Sequence, residues 1–398
     1  MNDGQPLAGI TVLDFSRVLA APLATQILGE LGATVLKIER PVSGDETRGF
    51  EPRLPAGESA YFFAFNRGKS SITLNLKDPR GALLARRLAS DADVVVENFL
   101  PGTMERLGLG YADLATDNPG LVYVSATGFG RTGPDRDRKG YDTIFQALSG
   151  VMAMTGTPDG PPAKTGVPIA DLTSGLWVVI AVLTGIAGRR DGGRGRHFDV
   201  SMMDVQIGLH ALNAARLFAL DEDPVRAGTE HPGRVPSAAF QAADGGWLHI
   251  SGSDQHWLPL CEVLGLEELA NDSALRHNAG RVADRERVMR SLTEAIARQD
   301  RASLLERLRA VEVPVGEVRT VREALDAPQT RARQMVTSFK HPTEGEFAAL
   351  RTPLREDGAA APDTEPPPLL GADTDTVLAE RLGMTAAEIA ELHQEGVL

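Results

Sequence analysis

Cysteine is almost absent from this sequence, since Cys261 is the only one among 398 residues. A single cysteine cannot form an internal disulfide bond, and such low usage is typical of a reducing compartment. The opening residues MNDGQPLAGI lack the basic and apolar regions of a signal peptide. The longest apolar run, LWVVIAVLTGIAG, is shorter than the ~20 residues that a membrane span requires. We therefore expect a soluble cytoplasmic protein with no membrane partner.

Basic residues are also scarce, with 41 Lys and Arg against 54 Asp and Glu, for a net charge of −13. This balance argues against a nucleic-acid partner, because a phosphate backbone requires a basic face. A small anionic ligand is still compatible, since basic side chains can cluster locally. The eight histidines show no metal-ligand spacing, so we expect no metal site.

The first ~130 residues alternate between β-branched apolar runs and segments with helical spacing. Strands are predicted at 9–16, 34–40, 70–76, 93–99 and 120–129, and helices at 21–33, 79–92 and 103–109. Such alternation predicts an α/β fold with a parallel, doubly wound sheet, a Rossmann-like arrangement. Two further helices are predicted at 171–190 and 199–220, separated by a turn or short hairpin, RRDGGRGRHF.

The composition changes near residue 221, where turn formers and charges suggest a linker. Short strands within 238–253 and amphipathic helices at 256–266 and 301–311 follow, so we assign 225–325 to a smaller α+β domain. The chain is predicted to cross between the two domains a second time around EALDAPQTRARQ. The segment APDTEPPPLLG should be extended, and the tail from Thr385 should be a helix that Thr385 caps.

Two patterns near strand ends suggest ligand binding. GFGRTG (128–133) matches G-x-G-x-x-G, but Pro134 and charged residues follow instead of a helix, which favours a loop over a dinucleotide site. Basic residues also recur near predicted strand ends, where open α/β sheets bind ligands. Each of them is either a phosphate contact or a solvated surface charge: Arg17, Lys37, Arg40, Arg67, Lys69, Arg106 and Lys139.

Asp171, in GVPIADLTSGLW, precedes a long apolar helix and has two interpretations. Aspartate is a favoured N-cap, and this helix needs one. Alternatively, Asp171 is a nucleophile. The two roles are compatible, because a carboxylate at a helix N-terminus should stay ionised and oriented.

Eight segments, in order and spanning nearly the whole chain, carry a resemblance to a known family: VLDFSRVLAAPLATQILGELGATVLKIERP, GDETRG, NRGKSSITLNLK, VVVENFLPGTMERLGLGY, SATGFGRTGP, GYDTIFQALSG, GVPIADLTSGL and PPPLLG. The sequence resembles the family III CoA-transferases, a group that includes formyl-CoA and carnitine CoA-transferases and the α-methylacyl-CoA racemases. The resemblance implies an interlaced ring homodimer. It also implies a large domain of residues 1–220 that the C-terminal segment 330–398 rejoins, with the small domain between them.

The resemblance further implies that Asp171 is the nucleophile and that CoA or acyl-CoA is a substrate, with no permanently bound cofactor. Asp171 would form a mixed anhydride with the donor acyl group and then an aspartyl-CoA thioester, from which CoA passes to a carboxylic acid. The implied CoA-binding positions are Val18, Ala20, Arg40, Leu74, Lys77, Asn98, Phe99, Arg106 and Lys139. Tyr141 is expected to line the acyl pocket.

Two alternatives to transfer stay open. The racemase branch pairs the aspartate with a histidine in a G-H-D segment, whereas this chain has Tyr141 there, and an ordinary tyrosine with pKa ~10 is a poor two-way proton carrier. A CoA-binding protein without catalysis is the second alternative.

Among acceptors, GTEHPGRVPSAAFQ resembles members that act on dicarboxylic acids such as succinate or glutarate, and Arg234 would pair with the distal carboxylate. The loop 251–257, SGSDQHW, is either a lid or a turn that ends in a helix cap at Ser253 or Asp254.

Overall fold

The structure is a computed structural model that describes residues 5–189, 193–357 and 364–398. Parts of MNDGQPLAGI, RRDGGRGRHF and APDTEPPPLLG therefore lie outside the described residues. The chain divides into two compact units. The first comprises Met1–Val151, Lys164–Glu222 and Arg331–Leu398, and the second comprises Met152–Ala163 and Asp223–Thr330. The segment Met152–Ala163, which the sequence pattern places in the large domain, belongs to the second unit.

A parallel sheet of six strands forms the centre of the first unit, in the order β3-β2-β1-β4-β5-β6. Its strands are β1 (Thr11–Asp14), β2 (Thr34–Glu39), β3 (Lys69–Thr73), β4 (Val94–Glu97), β5 (Val122–Thr127) and β6 (Arg196–Ser201). The first five coincide with the predicted apolar runs, which are buried because helices cover both faces of the sheet. The strand order reverses between β1 and β4, and such a switch point opens a crevice at the carboxyl ends of the strands.

Among the described residues up to Leu220, nine α-helices accompany this sheet: α1 (Ala20–Glu30), α2 (Ala60–Phe65), α3 (Pro79–Ser90), α4 (Thr103–Arg106), α5 (Tyr111–Asp117), α6 (Asp142–Leu148), α7 (Ile169–Arg189), α8 (Met202–Gly208) and α9 (Ala211–Leu220). The prediction of one helix over 199–220 is wrong in two respects. Residues 199–201 complete β6, because they pair with β5, and the remainder breaks into α8 and α9. The short helices α2, α5 and α6 have no counterpart among the predicted elements.

Helix α7 lies against α1 and β5. Its 21 residues are, by length and composition alone, sufficient to cross a membrane, which differs from the expectation drawn from the shorter apolar run. One face is buried in the first unit, through Ala170, Ser174, Val178 and Val182. Those positions recur at helical spacing, so this face is a core-packing face.

The second unit contains an antiparallel sheet in the order β7-β8-β9. Its strands are β7 (Ser237–Gln241), β8 (Trp247–Ser251) and β9 (Val315–Glu317). The helices in this part of the chain are α10 (Asp254–Leu264), α11 (Glu267–Asn271), α12 (Asn278–Ala283), α13 (Arg285–Ile296), α14 (Arg301–Ala310), α15 (Val321–Asp326) and α16 (Pro328–Ala332), the last of which spans the unit boundary. The core of this unit packs around the fully buried Trp257.

The C-terminal segment completes the first unit with the hairpin β10 (Val336–His341) and β11 (Gly345–Leu350) and the helices α17 (Thr374–Leu382) and α18 (Ala386–Gln394). Residues 364–371 of the Pro-rich segment contain no helix or strand. The predicted cap is confirmed, because the Thr385 side chain accepts from the N–H of Glu388 in a capping box. Leu378 and Leu398 pack in the same cluster as Leu36, so the segment covers the sheet.

Candidate functional site

A cavity of about 560 Å³ lies at the carboxyl ends of β1 to β4 in the first unit. Its wall includes basic, polar and apolar side chains, among them Arg17, Arg40, Leu74, Lys77, Phe99 and Thr103. The position is the switch point of the sheet, where open α/β folds bind ligands. The mixed lining is typical of a site that receives an extended ligand with both anionic and apolar parts.

The turn after β1 forms one side of this cavity and has an unusual backbone. Val18 adopts a φ of 71°, in the left-handed region that β-branched residues avoid. Two neighbours hold the turn: Asn98 bonds both the N–H and the C=O of Arg17, at 2.9 and 2.7 Å, and the Asp45 carboxylate accepts from the N–H of Val18 at 3.3 Å. Strain that is held in this way recurs at ligand sites.

Three of the basic residues that the sequence places near strand ends are buried in ion pairs, so the surface interpretation is wrong for them. Lys37 Nζ lies 3.0 Å from Asp45, and Lys69 Nζ lies 3.1 Å from Asp14, with all four side chains inaccessible. Arg67 is buried beside Glu30 at 2.8 Å. Burial lowers the pKa of Lys69 to about 8, although Asp14 favours its charged form. Of these pairs, Lys37–Asp45 belongs to the cavity, because both residues line its wall.

The structure brings four of the nine expected CoA-binding residues to the wall of this cavity. Arg40, Leu74, Lys77 and Phe99 line it directly. Asn98 and Arg106 do not line the cavity but bond to residues that do. Asn98 accepts from the N–H of Arg17, and the Arg106 guanidinium donates to the Thr103 hydroxyl at 3.0 Å.

Val18 and Ala20 belong to the turn that follows β1 and to the start of α1. Lys139 and Tyr141 are not among the lining residues. They lie on the loop between β5 and α6, and Tyr141 is 77% exposed, so its expected place in a pocket wall is not seen.

Asp171 is the third residue of α7, within the first turn. The capping interpretation is therefore wrong, and Asp142 performs that task. Asp142 Oδ1 accepts from the backbone N–H of Ala170 at 2.8 Å and of Asp171 at 3.3 Å. A carboxylate from the start of α6 thus accepts from two N–H groups in the first turn of α7, so the Asp171 carboxylate is not needed as the cap.

The proton affinity of Asp171 differs from the sequence-based expectation. Burial, and then the negative charge of Asp142, raise the pKa of Asp171 to about 7. The expectation that the helix N-terminus keeps this group fully ionised is wrong, because desolvation outweighs the helix dipole here. A carboxylate with such a pKa is a stronger base and nucleophile, once ionised, than an ordinary aspartate.

Two residues near Asp171 escaped the sequence analysis. Tyr61, in α2, has its pKa raised to about 12 by burial and by the charges of Asp171, Asp142 and Asp45, so it keeps its proton at neutral pH. Asp142 is held by Gln146, whose Nε2 donates to Asp142 Oδ2 at 2.6 Å. Asp142 follows Tyr141 in GYDTIF at the start of α6, and a carboxylate at that position is the one sequence feature that indicates it. No sequence feature indicates Tyr61.

Close packing of α1 on α7 connects Asp171 with the turn after β1. Gly175 lies one helical turn beyond Asp171, and a Cβ there would come within 2.5 Å of the Ala20 carbonyl oxygen. Glycine is therefore required for the two backbones to approach this closely. Ala20, an expected CoA-binding position, consequently lies close to the helix that presents Asp171.

In the second unit, only Gly252 and Ser253 lie between β8 and α10, and Ser253 is the N-cap residue of α10, as the turn-and-cap interpretation of 251–257 predicts. The N–H of Ser253 donates to His256 Nδ1 at 3.1 Å. Asp254 pairs with the buried Arg281 at 2.7 Å. Arg234 is exposed.

The fold and site together define an α/β protein with a cavity at the switch point of its sheet and, on the helix that packs against α1, a desolvated carboxylate of raised pKa. The chain belongs to CoA-transferase family III, which matches residues 7–374. It is therefore a CoA-transferase of that family, for which CoA thioesters are substrates.

Three similar proteins illustrate the relationship. The succinyl-CoA:glutarate CoA-transferase of Mus musculus is 36% identical over 99% of this chain and 90% of its own. The acetyl-CoA:oxalate CoA-transferase of Acetobacter aceti is 41% identical over 83% of this chain and 85% of its own. A crystal structure of a CAIB/BAIF family protein from Brucella suis superposes with a TM-score of 0.84 at 38% identity, covering 95% of this chain and 99% of that one.

Proposed function

We propose that this enzyme moves CoA from an acyl-CoA donor, with succinyl-CoA the first candidate, to a dicarboxylic acid through covalent intermediates on Asp171. The observation that carries the proposal is the state of Asp171. It is a desolvated carboxylate of pKa about 7 whose helix is capped by a different residue. Desolvation of a carboxylate lowers the stability of the fold, and a carboxylate that is desolvated in this way is a candidate nucleophile.

The reaction begins when the Asp171 carboxylate attacks the donor thioester carbonyl. The C–S bond breaks, CoA leaves as a thiolate, and a mixed anhydride forms between Asp171 and the donor acyl group. The thiolate then attacks the aspartyl carbonyl, which releases the donor acid and leaves an aspartyl-CoA thioester.

The acceptor acid reverses the sequence. Its carboxylate attacks the aspartyl thioester to give a second anhydride and free thiolate, and the thiolate attacks the acceptor carbonyl. The products are the new acyl-CoA and the regenerated Asp171 carboxylate. The energy of the thioester is conserved, so this sequence needs no ATP.

The surroundings of Asp171 suit this chemistry. Desolvation strengthens the carboxylate as a nucleophile and limits the water that would hydrolyse an anhydride. Tyr61 keeps its phenolic proton, because its pKa is about 12, and it is a candidate donor to a developing oxyanion. Asp142 orients the first turn of α7 through Ala170 and Asp171.

The choice of a dicarboxylate acceptor is supported by the names of relatives that this chain resembles along most of its length. Those names specify succinyl-CoA with glutarate and acetyl-CoA with oxalate. Arg234 is the residue we assign to the distal carboxylate, by a bidentate pair. The acceptor range is measured directly with a panel of mono- and dicarboxylic acids.

We also propose that the protein is a homodimer of interlaced rings. The structure describes every residue of α9, and none of them is buried. Its large apolar side chains are exposed as well, Leu212 to 76% and Phe218 to 85%. On α7, Trp177 and Ile180 are about half exposed. Apolar helix faces of this extent are typical of subunit interfaces. Sedimentation in increasing urea tests this, since interlaced chains should separate only as they unfold.

Mass spectrometry of the Asp171 peptide tests the reaction. The protein is incubated with succinyl-CoA and hydroxylamine, beside a sample without donor, because hydroxylamine converts an activated aspartyl group to a stable hydroxamate. A hydroxamate at Asp171 is the expected result.

Absence of the hydroxamate with every acyl-CoA tested would contradict the proposed mechanism. Exchange of α-protons in deuterated water without hydroxamate would instead indicate racemase chemistry. Saturable CoA binding with neither reaction would indicate a CoA-binding protein without catalysis.

A further inference from the structure

Glu46 lies beside the cavity and contacts two of its basic side chains. Its Oε1 is 2.6 Å from Arg17 and 3.7 Å from Arg40, and both arginines line the cavity wall. Glu46 itself is not a lining residue. One carboxylate oxygen thus attracts two guanidinium groups that are suitably placed to meet an anionic ligand.

The hydrogen bonding of this cluster is incomplete. In the part of the chain that the structure describes, Glu46 Oε2 and Arg17 Nε are buried without a hydrogen-bond partner. Buried polar atoms are normally paired, and the exceptions concentrate where a ligand or another group binds. The Arg17–Glu46 pair therefore leaves hydrogen-bonding capacity unused at the edge of the cavity.

Arg17 does not depend on Glu46 for its position. Asn98 holds its backbone through two hydrogen bonds, and its guanidinium lies 4.7 Å above the centre of the Phe99 ring. Glu46 is also dispensable for the local fold, because Asp45 caps the short helical turn Glu46–Gly49 by accepting from the N–H of Thr47. Removing the charge of Glu46 should therefore leave Arg17 in place.

We propose that Glu46 competes with the phosphate groups of CoA for Arg17 and Arg40 and thereby weakens CoA binding. The carboxylate neutralises the two arginines in the free enzyme and repels an incoming phosphate, so that the ligand must displace it. A transferase must release an acyl-CoA in every turnover, and this competition limits how tightly that product is held. The inference rests on the proposed function, because it takes CoA as the ligand of the cavity.

Titration calorimetry of the full-length protein with CoA tests the proposal. The variant Glu46→Gln keeps an oxygen that can accept from Arg17 but removes the charge. We expect its Kd for CoA to be about three- to tenfold lower, since partly exposed ion pairs contribute roughly this much and a factor of ten is 1.4 kcal/mol. Glu380→Gln, an exposed substitution on α17 that changes the net charge equally, is the matched control and should leave Kd unchanged.

The ligand and salt dependence make the test specific. The gain in Glu46→Gln should shrink as salt is raised, because screening weakens charge interactions. It should be absent for pantetheine, which carries no phosphate. Unchanged or weaker CoA binding in Glu46→Gln, or an equal gain for pantetheine, would overturn the proposal.

Failure of the proposed function is recognised separately from failure of this inference. It would appear as absent CoA binding in the unmodified protein together with no hydroxamate at Asp171. A protein that binds CoA and forms the hydroxamate, but whose Glu46→Gln variant binds no tighter, would contradict only the role of Glu46.

Discussion

Replacing Asp171 with asparagine should stabilise the folded protein at pH 8 even though it abolishes transfer. Burial, and then the charge of Asp142, raise the pKa of Asp171 from 3.8 to about 7 in the folded protein. The folded state therefore binds the proton more tightly than the unfolded state does. Below pH 3.8 Asp171 is protonated in both the folded and the unfolded state, so it does not lower the free energy of unfolding. Between pH 3.8 and about 7 it ionises first in the unfolded state, so the free energy of unfolding falls as the pH rises, and it stays lowered above pH 7.

The size of the effect follows from the shift. A rise of about three pKa units corresponds to about 4 kcal/mol, because each unit is about 1.4 kcal/mol. Asparagine carries no charge and avoids this loss, but burying its amide costs about 1–3 kcal/mol where partners are lacking. We therefore expect Asp171→Asn to raise the free energy of unfolding by about 1–3 kcal/mol at pH 8 and to have no stabilising effect at pH 4.

Urea unfolding at pH 4, 6 and 8, at equal protein concentrations, measures this dependence. Asp204→Asn is the control, because Asp204 also lies in the first turn of a helix, α8, but is exposed. It should destabilise slightly, by about 0.3–1 kcal/mol, through loss of a favourable dipole interaction. Equal stability of Asp171→Asn and the unmodified protein at pH 8, or a gain that does not vary with pH, would refute the account of Asp171 as a desolvated carboxylate.

Two further predictions concern its neighbours. Asp142→Asn keeps a capping oxygen but removes the negative charge that helps to raise the pKa of Asp171. Asp171 is roughly one tenth ionised at pH 6, so the acid limb of the pH profile of kcat/KM should move to lower pH in this variant. An unchanged midpoint of that limb would limit the role of Asp142 to capping. Gly175→Ala should cost about 1–3 kcal/mol in thermal unfolding, because its Cβ would come within 2.5 Å of the Ala20 carbonyl. Gly188→Ala, on the same helix with its nearest contact at 3.6 Å, should be neutral or stabilising, and equal losses in both variants would contradict the packing argument.

The parallel sheet could be predicted because β1, β2, β4 and β5 are rich in β-branched and apolar residues and alternate with segments of helical spacing. The strand β6 could not, since Arg196–Ser201 carries charged and aromatic residues and becomes a strand only by pairing with β5. The helices α2, α5 and α6 are too short to show a helical period. In these elements, tertiary pairing and packing decide the conformation.

The candidate site divides in the same way. Arg40, Leu74, Lys77 and Phe99 lie at or just beyond the ends of predicted strands, and the geometry of a parallel sheet gathers those ends at one edge. Lys139 and Tyr141 lie outside the cavity lining, on a long loop whose path the strand pattern does not determine.

By itself, the sequence determined the α/β order of the first unit, the helix that carries Asp171 and the family resemblance, because these depend on local periodicity and on motifs in linear order. Only the tertiary structure decided the chemical state of the site. Asp142, 29 positions away in the chain, caps the helix of Asp171 and contributes to its raised pKa. Burial and charge proximity are properties of groups brought together in space, and the spacing of residues along the chain does not contain them.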